Sequence, residues 1–452
     1  MTASERRASF GLAAIVALRM LGLFLIFPVF ALYAEGLAGV TPLLVGLAVG
    51  AYGLTQAIFQ IPFGMLSDRL GRKPVIAAGL VLFAAGSVVA GLSESIWGVI
   101  LGRTLQGSGA VAAAVMALAA DLTREEQRTK AMAIIGMTIG FSFMLALVAG
   151  PVLDAWIGVP GIFWLTAGLA VLGIVLLFAA IPVPAESRVH RDAEPVREQF
   201  GSVLRDRMLM RLDFGIFALH LMLTAIFLVV PLELRDTAGL APARHWLVYL
   251  PVLLLSIVFM VPLIIQAERK GRMRAVFLGA VALLGLAQAG MAAGASGLWP
   301  LALWLVVLFT GFNVLEATLP SLVSRLAPAD SKGTAMGVYS TSQFAGAFTG
   351  GVVGGWLHQV AGLQGVFLLG AGFAVVWMVV ASGMRFPVSV SSRLMHVEVS
   401  DEDAAQALER RLLSIPGVLE ATVIAADATA YLKVDRRRLD EAALGAISAG
   451  AA

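Results

Sequence analysis

Gly64-Met65-Leu66-Ser67-Asp68-Arg69-Leu70-Gly71-Arg72-Lys73-Pro74 sets a short charged turn between two apolar stretches. The pattern returns, degraded, as Ala267-Glu268-Arg269-Lys270-Gly271-Arg272-Met273-Arg274. Asp68 corresponds to Glu268, Arg69 to Arg269, Gly71 to Gly271 and Arg72 to Arg272, each at a spacing of 200 residues. A turn that closes one apolar hairpin and is echoed half a chain later marks an internal repeat. In an apolar chain, such a repeat predicts two similar halves embedded in a membrane.

The composition agrees. Of 452 residues, 59% are hydrophobic and only 13% charged, against about 25% charged in soluble domains. With a mean hydropathy of +0.90, the chain cannot cover itself with polar side chains, so its solvent is mostly lipid. No cysteine is present, which excludes disulfides and thiolate metal sites. The pI of 9.4 does not point to nucleic acid, because the region from 395 onward carries six basic and ten acidic residues. The basic surplus therefore sits in the apolar part.

Apolar runs at 10–34, 43–67, 74–93, 97–120, 129–154, 161–182, 209–233, 246–267, 275–295, 299–324, 334–357 and 363–384 predict twelve spans. Each is about long enough to cross a ~30 Å hydrocarbon layer as a helix. The first is too long, and too well followed, for a cleaved leader and is expected to be retained. Lys and Arg gather in alternate loops: Arg69, Arg72 and Lys73; Arg124, Arg128 and Lys130; Arg188 to Arg211; Arg269 to Arg274; Arg325 and Lys332. The opposite loops hold only Arg235 and Arg244. The positive-inside rule then predicts a multi-pass protein of the cytoplasmic (inner) membrane with both termini cytoplasmic. Trp97, Trp156, Trp246, Trp299 and Trp356 fall near the opposite span ends, as interfacial anchors.

The expected organisation is a first six-helix bundle over 1–183, a polar, partly amphipathic linker over 184–207, a second six-helix bundle over 208–386, a linker over 387–394 and a small cytoplasmic domain over 395–452. Lys130-Ala131-Met132 and Thr334-Ala335-Met336 begin spans 5 and 11 alike, and Gly150 is matched by Gly350. In the tail, Met395–Val399 alternates like a strand, while Ala405, Leu408 and Leu412 recur at helical spacing. Pro416-Gly417 is a breaker; strands are expected near Ala421–Ile424 and Ala430–Val434, then a helix over Leu439–Ile447. That βαββα order predicts a ferredoxin-like α+β domain whose last strand is short or absent. The fold class is thus an all-α, twelve-helix membrane protein with this domain appended.

The first charged turn resembles the loop 2–3 signature of the major facilitator superfamily, and Arg103-Thr104-Leu105-Gln106-Gly107-Ser108-Gly109-Ala110 resembles the span-4 signature of its drug–proton antiporters. With Phe312–Ala317, Lys332–Phe344 and the small tail, the chain is similar to the YajR-like branch over nearly its whole length. The resemblance implies that Gly64, Asp68, Arg69, Gly71, Arg72 and Asp121 form a latch which, with the positive N-terminal dipole of span 11, holds the outward-facing state. Glu268, Arg269, Gly271 and Arg272 are its second-half counterpart. Topology-setting loop charge is the simpler reading of the same residues.

Ionisable groups inside spans are costly and mark function by default. Arg19, Arg103, Gln106, His220, Asn313 and Glu316 are therefore cavity candidates. His220 and Glu316 can exchange protons, whereas Arg19 and Arg103 can organise charge or hold an anion. A fixed interhelical hydrogen bond or ion pair is the alternative for each. Asp213, at the start of span 7, is expected at the interface, and Glu35, Asp154 and Glu233 near outer span ends are expected to be solvated. Gly150-Pro151 resembles the antiporter signature that bends span 5. Where the family usually places a following glycine pair, this chain reads Leu153-Asp154-Ala155, so this motif does not carry the direction of transport. Gly354-Gly355 in span 11 is suited to close packing.

In the tail, Ser400-Asp401-Glu402-Asp403 stands where soft-metal domains place cysteines, and His396 alone is no metal site. Arg436-Arg437-Arg438 suits either a solvated helix start or anionic headgroups. No phosphate-cradling glycine loop is found. No enzyme activity, cofactor or metal is expected. The partners expected are a small-molecule substrate, protons, membrane lipids and a cytoplasmic partner or ligand of the tail. The leading expectation is proton-coupled efflux of a small amphipathic molecule by alternating access. Proton-coupled uptake or facilitated diffusion is the alternative within transport, and a non-transporting sensor signalling through its tail is the alternative outside it.

Overall fold

The computed structural model describes residues 1–184, 195–294, 297–328, 330–384, 386, 390–397, 402–424, 429–435 and 438–444. Among the described residues ten helical stretches are long and apolar enough to cross a membrane, two of them of 50 and 51 residues. Those two each fold back on a glycine of positive φ, Gly158 (φ 67°) in Glu125–Ala179 and Gly362 (φ 69°) in Lys332–Ser382. The contacts with span 1 show the reversal. Thr138 and Ser142 hydroxyls reach the carbonyls of Ala13 and Ala17, whereas Thr166 reaches Gly22 and Ile181 lies against Gly11. The order runs up span 1 and then back down, so each long helix is two spans and the chain crosses twelve times.

Span 1 begins at Ala3, where Thr2 and Glu5 form a reciprocal capping box. It is not continuous as the apolar run suggests: helix Ala3–Phe24 gives way to turns before Phe30–Ala34, because Pro28 has no N–H to donate. Span 4 also departs from expectation. It is two helices, Ile96–Ser108 and Ala112–Asp121, with Gly109 leaving helical geometry between them (φ −77°, ψ 54°). Spans 2 (Pro42–Leu70) and 3 (Arg72–Gly91) join through Gly71 alone, whose φ of 92° explains why the motif needs glycine there.

The halves meet where span 2 crosses span 11. A Cβ on Gly46 would strike the Gly351 carbonyl, and one on Gly355 would strike that of Pro42. Only glycines allow backbones this close, and dispersion between the backbones replaces the hydrophobic drive that lipid does not supply. At the face opposite the termini, Glu35 and Arg235 pair across the halves, with Nη2 to Oε1 at 2.9 Å. Trp97, Trp156, Trp299 and Trp356 are exposed and Trp246 half-buried. Span 5 keeps helical geometry through Gly150-Pro151, since Gly158 is the residue that departs from it. Gly150 instead lets Leu25 and Pro28 of span 1 approach closely.

The tail has three antiparallel strands, β1 (Val390–His396), β2 (Val418–Ile424) and β3 (Thr429–Asp435), in the order β1-β3-β2, with helix Glu402–Leu413 against them. β1 starts five residues before the Met395 expected from the alternation alone, paired along its whole length with β3. Val397, Leu408, Leu412, Leu432 and Val434 form a separate apolar core. Asp440 caps a turn over 441–444 by accepting from the Ala442 and Ala443 amides. The middle of the linker, Ser400-Asp401, Arg436-Arg437 and the end of the expected last helix lie outside the described residues.

Candidate functional site

Four groups of polar and charged side chains stand out at the span ends and inside the bundles. The first is the charged turn. Arg72 is buried, and its guanidinium bonds Asp68 from the end of span 2, Ser67 Oγ at 2.9 Å, and Asp121 from the end of span 4 through Nε–H at 3.1 Å. The Asp121 side chain is fully enclosed and that of Asp68 is 26% exposed. The short turn at Gly71 is what brings Arg72 back over the helix it has just left. Arg69 is exposed, while Gly64 lies against Ala113 of span 4. Ser67, inside the quoted motif, is a member that the charge pattern did not signal.

The second-half echo keeps the turn but changes the partner. Gly271 has φ 68°, yet Arg272 is exposed. Glu268 instead receives both bonds, at 2.7 Å, from Arg325 at the end of span 10. The loop-charge count had placed Arg325 at this face without assigning it a partner. On the same face of the first half, Arg124 pairs with Glu5 at 2.8 Å.

The third group lies inside the first half. Arg19 donates to Gln56 Oε1 at 2.8 Å and to the Gly109 carbonyl at 2.9 Å. Arg103 donates to Gln106 Oε1 at 2.7 Å, and Gln106 to Ser87 at 2.7 Å. Both guanidiniums face the ring of Tyr52, at 5.8 and 5.1 Å from its centroid.

The fourth group lies inside the second half. His220 of span 7 sits 4.0 Å from Glu316 of span 10. The Gln343 amide nitrogen of span 11 lies within hydrogen-bond distance of its Nε2, at 2.8 Å. Glu316 keeps 36% of its side-chain surface open although one oxygen is sealed and unpartnered. Asn313 donates to Ser256 of span 8 at 2.9 Å and is not in this cluster. Asp213 is not at a solvated interface: it is buried at 4% exposure with Oδ2 unpartnered.

Between these groups an aromatic seam joins the halves. Phe143 of span 5 packs on Phe227, Phe309 and Phe312 at 6.2, 6.5 and 6.0 Å, and Phe27 packs on Phe227 at 5.7 Å. Phe312 also lies 6.1 Å from His220. No sequence signal distinguished these phenylalanines from lipid-facing ones. Among the described residues no group of three or more His, Asp or Glu side chains is placed to hold a metal.

The Major Facilitator Superfamily profile matches residues 12–348 and again 212–426. The inner membrane transport protein YajR of Escherichia coli is 48% identical over 97% of this chain and 96% of its own length. The multidrug resistance protein MdtH of Cronobacter sakazakii is 27% identical over 75% of this chain and 84% of its own. Among solved structures, a bacterial homologue of the human lysosomal transporter Spinster, in an inward-facing and occupied conformation, superposes with a TM-score of 0.69. It covers 84% of this chain and 97% of that one at 14% identity, a likeness of fold alone. A profile match across most of the chain, over a fold of two six-span halves, assigns the protein to the major facilitator superfamily.

Proposed function

We propose that this chain is a proton-coupled secondary transporter of the inner membrane, with its arginine-rich face cytoplasmic, that exports a small amphipathic molecule. The observation that carries the reading is the Glu316–His220–Gln343 cluster. It draws one group from each of three spans, keeps one carboxylate oxygen unpartnered, and adjoins the seam that must open for passage. A carboxylate and an imidazole at membrane depth provide a place where a proton can bind and leave as access alternates. Export is favoured by the likeness to a multidrug resistance protein. The Asp68–Arg72–Asp121 cluster serves as the latch, since few charge pairs suffice to bias two states separated by a few kcal/mol.

The test uses inside-out proteoliposomes and a fluorescent amphipathic dye. An imposed proton gradient should drive dye accumulation in the wild type, and Glu316→Gln should remove the pH dependence of the rate. Gradient-independent equilibration would overturn the coupling, and an unchanged pH profile in the variant would remove Glu316 from it.

A further inference from the structure

Arg19 and Arg103 are left unused by that scheme, and their surroundings are unusual for the interior of a membrane protein. Each is at least 98% buried, with 2% and 1% of its surface exposed. No carboxylate among the described residues lies within ion-pair reach of either; their partners are Gln56, Gln106, the Gly109 carbonyl and, for Arg19, the Tyr52 hydroxyl, all neutral. Arg19 Nε and Nη1 and Arg103 Nε are sealed from solvent without an acceptor. Rings of Tyr52 and Phe83 face Arg19 at 5.8 and 5.3 Å, which softens the cost of the charge but leaves those N–H groups unmet. Uncompensated buried charge is among the most costly arrangements a fold can hold.

A second observation bears on the same place. Span 4 is broken there, and the ten-residue helix Ala112–Asp121 begins just beyond Gly109, the residue Arg19 bonds. The same break ends helix Ile96–Ser108 at Gly109, so Arg19 meets the negative pole of one helix beside the positive pole of the next. Irregular backbone at membrane depth is tolerated where it is enclosed by protein or lines a site. Two buried guanidiniums therefore face one ring, Tyr52, with no carboxylate partner among the described residues.

We propose that the Arg19 and Arg103 guanidiniums of the first half bind one anionic group. That group is either the carboxylate or other oxyanion headgroup of the transported amphiphile, or a small inorganic anion such as chloride. The inference deepens the transport reading by naming the charge that the first half holds, and its test imposes no gradient, so it stands or falls apart from proton coupling.

The full chain in nanodiscs of zwitterionic lipid, in a low-salt zwitterionic buffer free of chloride and carboxylates, is unfolded thermally as chloride, octanoate, octylammonium or octanol is added. Octanoate, chloride or both should raise the midpoint saturably, while octylammonium and octanol should not. Response to octanoate alone assigns the headgroup; saturation by chloride with nothing added by octanoate assigns the inorganic anion. Arg19→Gln and Arg103→Gln should weaken half-saturation about tenfold or more, the factor expected for one charge-assisted hydrogen bond. Arg19→Lys, which keeps the charge, should weaken it less. Equal responses to octanoate, octylammonium and octanol, no response to either anion, or wild-type saturation in the glutamine variants would overturn the proposal. The wild-type series decides even if a variant fails to fold.

Discussion

In the first half the charges sealed inside the bundle are the guanidiniums of Arg19 and Arg103. In the second the sealed charge is the carboxylate of Asp213, while Glu316, beside the imidazole of His220, keeps 36% of its side chain open. The charged turns differ as well. After Gly71 the chain supplies its own cation, Arg72, to two carboxylates on different spans. After Gly271 the turn supplies none, and one carboxylate takes a cation from span 10. The repeat thus preserved the backbone device, a glycine of positive φ closing a hairpin, and let the side-chain electrostatics diverge. A duplicated frame with opposite interior charge suits a carrier whose two sides perform different tasks.

The largest expected effect falls on the enclosed cluster of the first half. Arg72→Ala removes the buried cation that Asp68 and Asp121 share and should cost roughly 3–5 kcal/mol, as broken buried pairs do. Thermal unfolding in nanodiscs would read the loss, and a wild-type midpoint would show that the cluster carries no such strain. Asp68→Asn keeps the Arg72–Asp121 pair and should slow transport while leaving insertion intact.

The glycine crossing that joins the halves comes next. Gly351→Val places branched carbons against the Gly46 carbonyl and the Gly50 backbone, neither of which can rotate away. A loss of about 1–3 kcal/mol, typical of overpacking, should accompany lost transport with helix content retained. Normal transport would mean that the halves tolerate separation at spans 2 and 11.

The second-half pair should matter less than the first-half cluster. Arg325 and Glu268 keep 18% and 35% of their side chains exposed, so solvent screening limits Glu268→Gln to about 1 kcal/mol or less. Equal losses for Glu268→Gln and Arg72→Ala would erase the contrast between the halves. The smallest effect lies in the tail. There the Arg393 guanidinium, hydrogen-bonded to Glu441 at 2.7 Å, holds that carboxyl below its usual range. The pair's contribution is therefore present above the ordinary carboxylate value and is lost as pH falls through the lowered one. Arg393→Ala should flatten that acid-side dependence of tail unfolding slightly, and an unchanged slope would show that the pair contributes nothing.

Local pattern made parts of this molecule legible. Gly71 was marked by the need for a tight turn, the spans by their length, and Arg72 by its position one turn beyond Asp68. The Thr2-x-x-Glu5 cap was also present in the sequence, although hydropathy alone placed the start of span 1 later. The partner of Arg325, the place of Tyr52 and the packing of Phe143, Phe227 and Phe312 into a seam were not legible. In a soluble helix the apolar stripe points inward, but a helix in lipid is apolar on every side, so periodicity cannot separate core from lipid-facing residues. The break in span 4 was hidden for a related reason: Gly109 is compatible with a continuous membrane helix, and only the approach of Arg19 to its carbonyl marks the interruption.

Sequence by itself determined the number of crossings, the doubling of the frame and the face that gathers arginine, because each follows from hydropathy and charge summed along a local stretch. Tertiary structure alone decided which carboxylate meets which guanidinium, that Arg19 and Arg103 lie sealed in the first half and Asp213 in the second, and that the halves close on glycines and phenylalanines. Those outcomes depend on distances between residues far apart in the chain, which no local sum contains.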